Sequence, residues 1–231
     1  METECVLPFQ HPTTIMVAGP TFSGKTTFVK RILSNNMVQP PPERVIWIYK
    51  EKDDNGELSS LKKEFPIIEF LSELDISILD GIKSTERNLV ILDDVMSEAG
   101  DSKAVASLFT QGSHHRNMTV IFLVQNLYHQ AKQMRNISLN THYLVLYKNP
   151  RDRSQIRTLS YQMFPTQKNF LVDAFSDATA APHSYLLVDL HPETDEDYRI
   201  RTNIFPGEET IIYVPADYKS QSSEDANLKP H

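Results

Sequence analysis

The chain has 231 residues, of which 40% are hydrophobic, and a formal net charge of −7 at pH 7. This length provides for one large domain or two small ones with a full hydrophobic core. The single cysteine, Cys5, excludes an internal disulfide and a cysteine-based metal cluster, and the chain has no apolar run of about 18 residues, which a membrane span needs. The acidic first residues also differ from a signal peptide, so we expect a soluble intracellular protein.

Composition divides the chain into three segments. Residues 1–12 form a polar lead-in, and residues 13–205 alternate apolar strands with helices, which predicts one folded domain. Residues 206–231 are polar and contain few apolar side chains. We therefore expect a mostly disordered tail, in which Thr210–Val214 is a candidate docking segment.

The beginning of the domain carries the most informative motif of the chain. Thr14–Ala18 predicts a buried strand and residues 27–33 predict a helix; the residues between them fit G-x-x-x-x-G-K-[ST], the Walker A phosphate-binding loop. The loop residues, with the one that follows, are Gly19, Pro20, Thr21, Phe22, Ser23, Gly24, Lys25, Thr26 and Thr27. In such a loop the backbone N–H groups and the helix N-terminus surround the phosphates of ATP or GTP. Lys25 would reach the β- and γ-phosphates, and the Thr26 hydroxyl would bind Mg²⁺.

Further strands and helices alternate along the rest of the domain. The predicted strands lie at residues 44–49, 67–70, 88–92, 119–124, 143–147, 185–190 and 198–202. The predicted helices lie near residues 58–65, 72–82 and 102–111, and two more begin near Asp152 and Thr166. Because most of these strands are apolar throughout and are separated by helices, we predict an α/β fold with a largely parallel sheet covered on both faces. The ligand of such a sheet lies beyond the C-terminal ends of its strands.

Polar residues follow four of the predicted strands and would meet at that edge. They are the Walker A loop, Asp93-Asp94, Gln125-Asn126 and Lys148–Arg151. An apolar strand that ends in an acid resembles a Walker B segment, in which Asp93 would hold Mg²⁺ through water opposite Thr26 and Asp94 would polarise the attacking water. Glu98 is an alternative for the second role, and the two aspartates could instead cap the next helix. Gln125 could orient water or sense the γ-phosphate.

Basic residues are concentrated in the second half of the domain. From His114 to Arg157 the chain has seven basic residues and one acid, which indicates a surface for a polyanion unless these side chains cap helices or pair with acids elsewhere. Arg116 lies between a predicted helix and a predicted strand, at the edge of the expected site, where it could act on the ATP of a neighbouring subunit. The alternatives for this role are Arg151, Arg153 and Arg157.

Two other site types are disfavoured. His114-His115 has no further ligand at metal-binding spacing. The chain also lacks an Asn-Lys-x-Asp segment after a strand, which a guanine-specific GTPase would need.

Several of these segments together resemble one family. They are Gly19–Thr26, Leu92-Asp93-Asp94, Leu108–Asn117 running into Val120–Asn126, and Tyr143–Asp152. Over residues 12–205 the chain resembles the genome-packaging ATPases of Polinton/Maverick elements and adintoviruses, which are similar to poxvirus-type packaging ATPases of the FtsK/HerA superfamily. The resemblance implies a RecA-like core that forms a ring of subunits. ATP hydrolysis at the subunit interfaces would then drive double-stranded DNA into a preformed capsid.

The resemblance also implies roles for single residues. Lys25 and Thr26 match the phosphate and Mg²⁺ positions, and Asp93 matches the Walker B acid. The catalytic acid, the strand-end glutamine and the trans-acting arginine are matched by Asp94, Gln125 and Arg116. Asp94 departs from the glutamate that superfamily members often have, and the acidic net charge restricts DNA contact to a local surface such as residues 114–157.

The sequence therefore predicts an ATP-driven translocase of double-stranded DNA that packages a viral genome, acting in the host cell or associated with the virion, with capsid proteins as partners. The alternative is a P-loop nucleotide or nucleoside kinase, in which a small acceptor replaces DNA. A third interpretation is a nucleotide-dependent switch or scaffold, in which hydrolysis stays slow even with DNA.

Overall fold

The computed structural model describes residues 7–49, 57–72, 81–93, 95, 103–109, 116–127, 134–151 and 153–216. The strands in these ranges are β1 Phe9–Gln10, β2 Thr14–Ala18, β3 Val38–Gln39, β4 Arg44–Tyr49, β5 Glu69–Leu71, β6 Asn88–Asp93, β7 Met118–Val124, β8 Tyr143–Tyr147, β9 Tyr185–Asp189, β10 Ile200–Thr202 and β11 Ile211–Ile212. The α-helices are α1 Lys25–Ser34, α2 Glu57–Glu64, α3 Lys103–Ser107, α4 Met134–Leu139, α5 Ser154–Met163 and α6 Phe170–Ala178.

Nine of the strands form one sheet in the order β11-β10-β9-β8-β2-β7-β6-β4-β5. The six strands from β8 to β5 are parallel to one another, and β9, β10 and β11 extend the sheet by antiparallel pairing. The predicted α/β fold with a largely parallel sheet is confirmed. Within the described residues, no helix is long and apolar enough to cross a bilayer.

Both faces of the sheet are buried, which explains why the central strands are apolar at every position. On one face, alternate residues such as Val17, Ile91 and Leu123 pack with Phe28 and Val29 of α1. On the other face, the intervening residues belong to a second core that includes residues of α5 and α6. Helix α1, which follows the Walker A loop, therefore covers the first of these faces. The loop must run from the end of β2 toward that face.

The structure differs from the predicted elements in several places. Strand β1, which precedes residue 13, pairs in parallel with β3, and Phe9 is buried against Tyr143 with ring centroids 4.9 Å apart. The sheet also continues past residue 205, because Ile211–Ile212 pairs with β10. Most of the helix predicted over residues 72–82 and the tail from residue 217 lie outside the described residues.

Two helix predictions in the second half need correction. The helix predicted near Thr166 begins at Phe170, because residues 165–169 form turns. Helix α4 was not predicted, since it is short and buries only two side chains, Met134 and Ile137. So few apolar positions produce no readable period.

Candidate nucleotide-binding site

The Walker A loop connects β2 to α1 at the C-terminal edge of the parallel strands. Gly24 precedes α1 with φ 107°, a left-handed conformation that favours glycine, and its carbonyl accepts the first helical hydrogen bond from Phe28 N at 2.9 Å. Gly24 supplies no capping side chain, which leaves the first N–H groups of α1 to a ligand or to water. This end of the helix is therefore suited to an anion.

Lys25 lies against the loop itself. Its Nζ donates to the carbonyl oxygens of Gly19 at 2.8 Å and Pro20 at 3.0 Å. These bonds close the loop into a compact turn with the ammonium group at its centre. A bound phosphate would compete with the two carbonyls for the same cation.

Gly19 fixes the loop to the sheet and leaves no room for a side chain. Its N–H donates to the carbonyl of Val124 at the end of β7, at 3.0 Å. A Cβ atom at this position would lie 2.6 Å from Tyr147 Cβ and 2.7 Å from Ser23 Oγ. Since Tyr147 is buried in β8, it cannot move aside.

We predict that Gly19→Ala weakens the affinity for ATP by about tenfold or more, because relieving an overpacked contact costs about 1–3 kcal/mol. Calorimetric titration of each variant with ATP measures the effect. Gly207→Ala is the matched control, because its φ is 81° and an added Cβ has no atom within 4 Å. It should cost about 1 kcal/mol of stability through backbone strain and leave ATP affinity unchanged. Equal ATP affinity in Gly19→Ala and the wild type would contradict the steric argument.

Strand β6 brings Asp93 to the same edge of the sheet. Asp93 pairs with Leu123 of β7, which in turn pairs with Val17, so β7 lies between the two predicted motifs and separates their strands by about 10 Å. Trp47 Nε1 donates to Asp93 Oδ2 at 3.3 Å. By strand alternation Asp93 shares its face with Ile91, which is the face that α1 covers. The Asp93 carboxylate and α1, the helix that contains Thr26, therefore lie on the same face of the sheet.

The end of β7 places Gln125 directly beside the loop. Gln125 is exposed and lines a cavity of about 20 Å³ together with Gly19, Tyr147 and Asn149. The cavity has room for about one water molecule. Asn149 Nδ2 donates to Asn126 Oδ1 at 2.9 Å, which joins the segments that follow β8 and β7. The structure therefore places the Walker A loop, Asp93 and Gln125 at one edge of the sheet. Asp94, Glu98 and His114-His115 lie outside the described residues.

Arg116 is not at the edge of its own site. It precedes β7, whereas the loop lies past the C-terminal end of the sheet, so the full length of β7, roughly 20 Å, separates them. The expectation that Arg116 lies at the edge of the site of its own chain is wrong, because strand direction places a residue before a strand at the opposite edge. Action on a neighbouring subunit stays a prediction.

The basic residues after β8 lie at the loop's edge of the sheet. Lys148, Arg151, Arg153 and Arg157 are all exposed. Within the part of the chain that the structure describes, none of the four forms an ion pair. The interpretation that these arginines pair with the acidic part of the chain has no support in these residues.

Two residues that the sequence analysis did not single out contact the loop. Tyr147 Oη donates to the carbonyl of Gly24 at 3.3 Å, and His183 Nδ1 lies 3.3 Å from the carbonyl of Ser23. Burial, with a smaller contribution from Tyr185, raises the pKa of Tyr147, so this phenol remains a donor at neutral pH. The sequence around His183 does not indicate this contact, because its partner Ser23 lies 160 positions away.

Comparison with solved structures identifies the architecture. The chain is similar to B204, the DNA-packaging ATPase of Sulfolobus turreted icosahedral virus, with a TM-score of 0.55 and 11% identity over 90% of this chain and 98% of B204. This chain has the RecA-like P-loop fold. It is also similar to the genome-packaging NTPase B204 of Sulfolobus turreted icosahedral virus 2 in complex with ATP-gammaS, with a TM-score of 0.52 and 11% identity over 88% of this chain and 98% of that one.

Sequence comparison finds two viral relatives of parts of the chain. One is the uncharacterized protein L666 of Acanthamoeba polyphaga mimivirus, 24% identical over 122 residues, which are 48% of this chain and 49% of that protein. The other is packaging protein 1 of Snake adenovirus serotype 1, 44% identical over 41 residues, which are 18% of this chain and 9% of that protein. No family model matches. The narrower resemblance to Polinton/Maverick and adintovirus ATPases stays a prediction.

Proposed function

We propose that this protein is a P-loop ATPase that moves double-stranded DNA and packages a viral genome into a capsid. The observation that supports this most is the meeting of the Walker A loop, Asp93 and Gln125 at one edge of a RecA-like sheet, with β7 between the two motif strands. Similar folds belong to viral packaging ATPases, one of them solved with an ATP analogue. ATP is accordingly the proposed substrate, and an infected host cell or the virion is the proposed setting.

The donor groups present fit Mg²⁺. The ion prefers oxygen ligands, and the Thr26 hydroxyl and the Asp93 carboxylate supply oxygens on the α1 side of the sheet. Thr26 would hold the ion directly and Asp93 would hold it through water. The ion would neutralise charge on the phosphate oxygens.

Hydrolysis then requires a base and a water-positioning group from this chain. Asp94 follows Asp93 and is the proposed base, with Glu98 as its alternative. Gln125, beside the loop, is proposed to orient the attacking water. Lys25 would move from the carbonyls of Gly19 and Pro20 to the phosphates.

The position of Arg116 favours a ring. Because it lies at the sheet edge opposite its own loop, this guanidinium could reach an ATP only in a second copy of the chain. An arginine supplied to a neighbouring site stabilises the charge of the transition state. We therefore propose a ring-shaped homo-oligomer in which each subunit completes the site of the next.

The exposed cations after β8 are the proposed DNA contact. Lys148, Arg151, Arg153 and Arg157 form no ion pair within the described ranges and belong to a segment with little negative charge. Contacts between such side chains and phosphates carry no sequence preference, as a translocase requires, and they weaken as the salt concentration rises.

We predict that double-stranded DNA stimulates ATP turnover and that added salt reduces the stimulation. Phosphate release is measured with and without duplex DNA at several salt concentrations, beside the mass of the assembled particle. Replacing Lys148 and Arg151 with Gln should weaken the DNA effect at fixed salt. The control replaces Lys62 and Lys63 of α2, which removes the same charge from a different element of the chain.

Two results would contradict the proposal. ATP turnover that DNA does not change at any salt concentration would contradict the proposed translocase function. Transfer of phosphate to a nucleoside or nucleotide acceptor, by a monomer or dimer, would instead establish the kinase alternative.

A further inference from the structure

His183 and Tyr147 contact two successive carbonyl groups of the Walker A loop from outside the motif. The carbonyl of Ser23 can only accept a hydrogen bond, so the Nδ1 atom of His183, 3.3 Å away, carries the proton and donates. Tyr147 Oη donates to the next carbonyl, that of Gly24, at 3.3 Å. The two donors come from different elements: Tyr147 ends β8, and His183 lies in the turn between α6 and β9.

The chemistry of the loop explains why side-chain donors reach these carbonyls; that of Gly24 also accepts the first helical hydrogen bond, from Phe28 N. A phosphate is held by N–H groups that point at it, and in a tight loop this turns the carbonyl groups outward. Lys25 donates to the carbonyls of Gly19 and Pro20 in the structure, but this amine would leave them for a bound phosphate. The donors to Ser23 and Gly24 are not phosphate ligands, so they can stay in place when the nucleotide binds.

The turn that carries His183 is held in a specific shape. His183 has φ 61°, in the left-handed region that a residue with a Cβ rarely adopts. Ser184 Oγ donates to the carbonyl of Ala181 at 2.6 Å, and Thr179 Oγ1 donates to the carbonyl of Phe175 at 2.7 Å. Strained backbone persists where the surrounding structure requires it, and it is common at ligand sites.

We propose that His183 and Tyr147 are positioning residues that hold the Walker A loop in its anion-binding conformation through the carbonyls of Ser23 and Gly24. This inference rests on the proposed nucleotide binding. Neither residue touches the reacting atoms. Their loss should therefore weaken nucleotide binding and raise the KM for ATP while kcat stays within about twofold of the wild type.

The test compares variants that separate the hydrogen bond from the backbone. His183→Gly keeps the left-handed conformation and removes the donor, whereas His183→Asn tolerates that conformation and places an N–H donor near the position of Nδ1. Binding of ATP-gammaS without DNA is measured for each variant, together with its melting temperature. We expect Kd to rise roughly three- to tenfold in His183→Gly and to return to within about twofold of the wild type in His183→Asn.

Two further variants complete the design. Ser138→Ala removes a side-chain hydrogen bond of α4, which precedes β8 and lies at the sheet edge opposite the loop, and it should leave Kd unchanged. Tyr147→Phe removes only the phenol oxygen and should raise Kd by a factor similar to that of His183→Gly. This variant still tests the proposal if a His183 variant fails to fold.

The outcomes distinguish this inference from the proposed function. If the wild-type protein binds no ATP-gammaS, both the proposed function and this inference are wrong. Wild-type binding with an unchanged Kd in His183→Gly and Tyr147→Phe would overturn the inference alone. A Kd in His183→Asn as high as in His183→Gly would also overturn it, because a structural role of the ring would then account for the loss.

Discussion

Lys25→Ala is expected to lower ATP turnover by at least about 10²–10³-fold, because it removes a cation aimed at the charge that develops on the phosphates. The structure adds a second reason. The same amine holds the carbonyls of Gly19 and Pro20, so its removal also loosens the loop before nucleotide arrives. Phosphate release at saturating ATP measures the first effect, and the Kd for ATP measures the second.

The matched control is Lys30→Ala, five positions further along α1. Lys30 pairs with Glu64 at 2.7 Å with both side chains partly exposed, so its loss should cost at most about 1 kcal/mol of stability and leave turnover unchanged. Turnover of Lys25→Ala within tenfold of the wild type would remove this lysine from the proposed mechanism.

The Lys25→Ala subunit also tests the placement of Arg116. A mixture of Lys25→Ala and Arg116→Ala subunits should recover part of the turnover that each lacks alone. In such a mixture the Lys25→Ala subunit still has Arg116 and supplies it to the intact Walker A site of a neighbouring Arg116→Ala subunit. Absence of recovery at every mixing ratio would count against action in trans.

Asp94→Asn is expected to preserve ATP binding and to lower hydrolysis by about 10²–10⁴-fold, the range for loss of a general base. The amide has nearly the shape of the carboxylate but cannot accept a proton from water. Binding of ATP-gammaS and phosphate release, measured on the same preparation, separate the two effects. Unchanged turnover would exclude Asp94 as the base.

Glu98→Gln decides between the two candidate acids. If Asp94 is the base, Glu98→Gln should retain turnover within a few-fold of the wild type, and the reverse pattern assigns the role to Glu98. Asp93→Asn is a useful companion, because loss of the proposed Mg²⁺ ligand should raise the Mg²⁺ concentration needed for half-maximal turnover.

Local patterns accounted for much of the fold and for part of the site. Apolar runs such as Asn88–Leu92 predicted strands buried on both faces, and the structure has a strand there, β6. The glycine spacing of the Walker motif predicted a loop between a strand and a helix, which is the arrangement observed around Gly19 and Gly24. The rule that ligands lie beyond the C-terminal strand ends placed Gln125 and Asp93 correctly at the loop's edge.

Long-range contacts accounted for what the patterns missed. His183 reaches Ser23 only because the turn after α6 folds against the loop, and a lone histidine in a turn carries no periodic or motif signal. The sequence predicted Thr210–Val214 only as a candidate docking segment, and it took the structure to show that Ile211–Ile212 pairs with β10 as a further strand of the sheet. In both cases the deciding partner is distant in sequence.

The sequence by itself determined the mostly parallel α/β sheet and the loop between a strand and a helix that we predict to bind phosphate, because glycine spacing and apolar runs act on neighbouring residues. Only the tertiary structure decided that β7 separates the two motif strands, that Arg116 lies at the sheet edge opposite its own loop, and that Tyr147 and His183 contact that loop. Strand order and direction arise from pairing between segments far apart in the chain, and no local pattern carries that information.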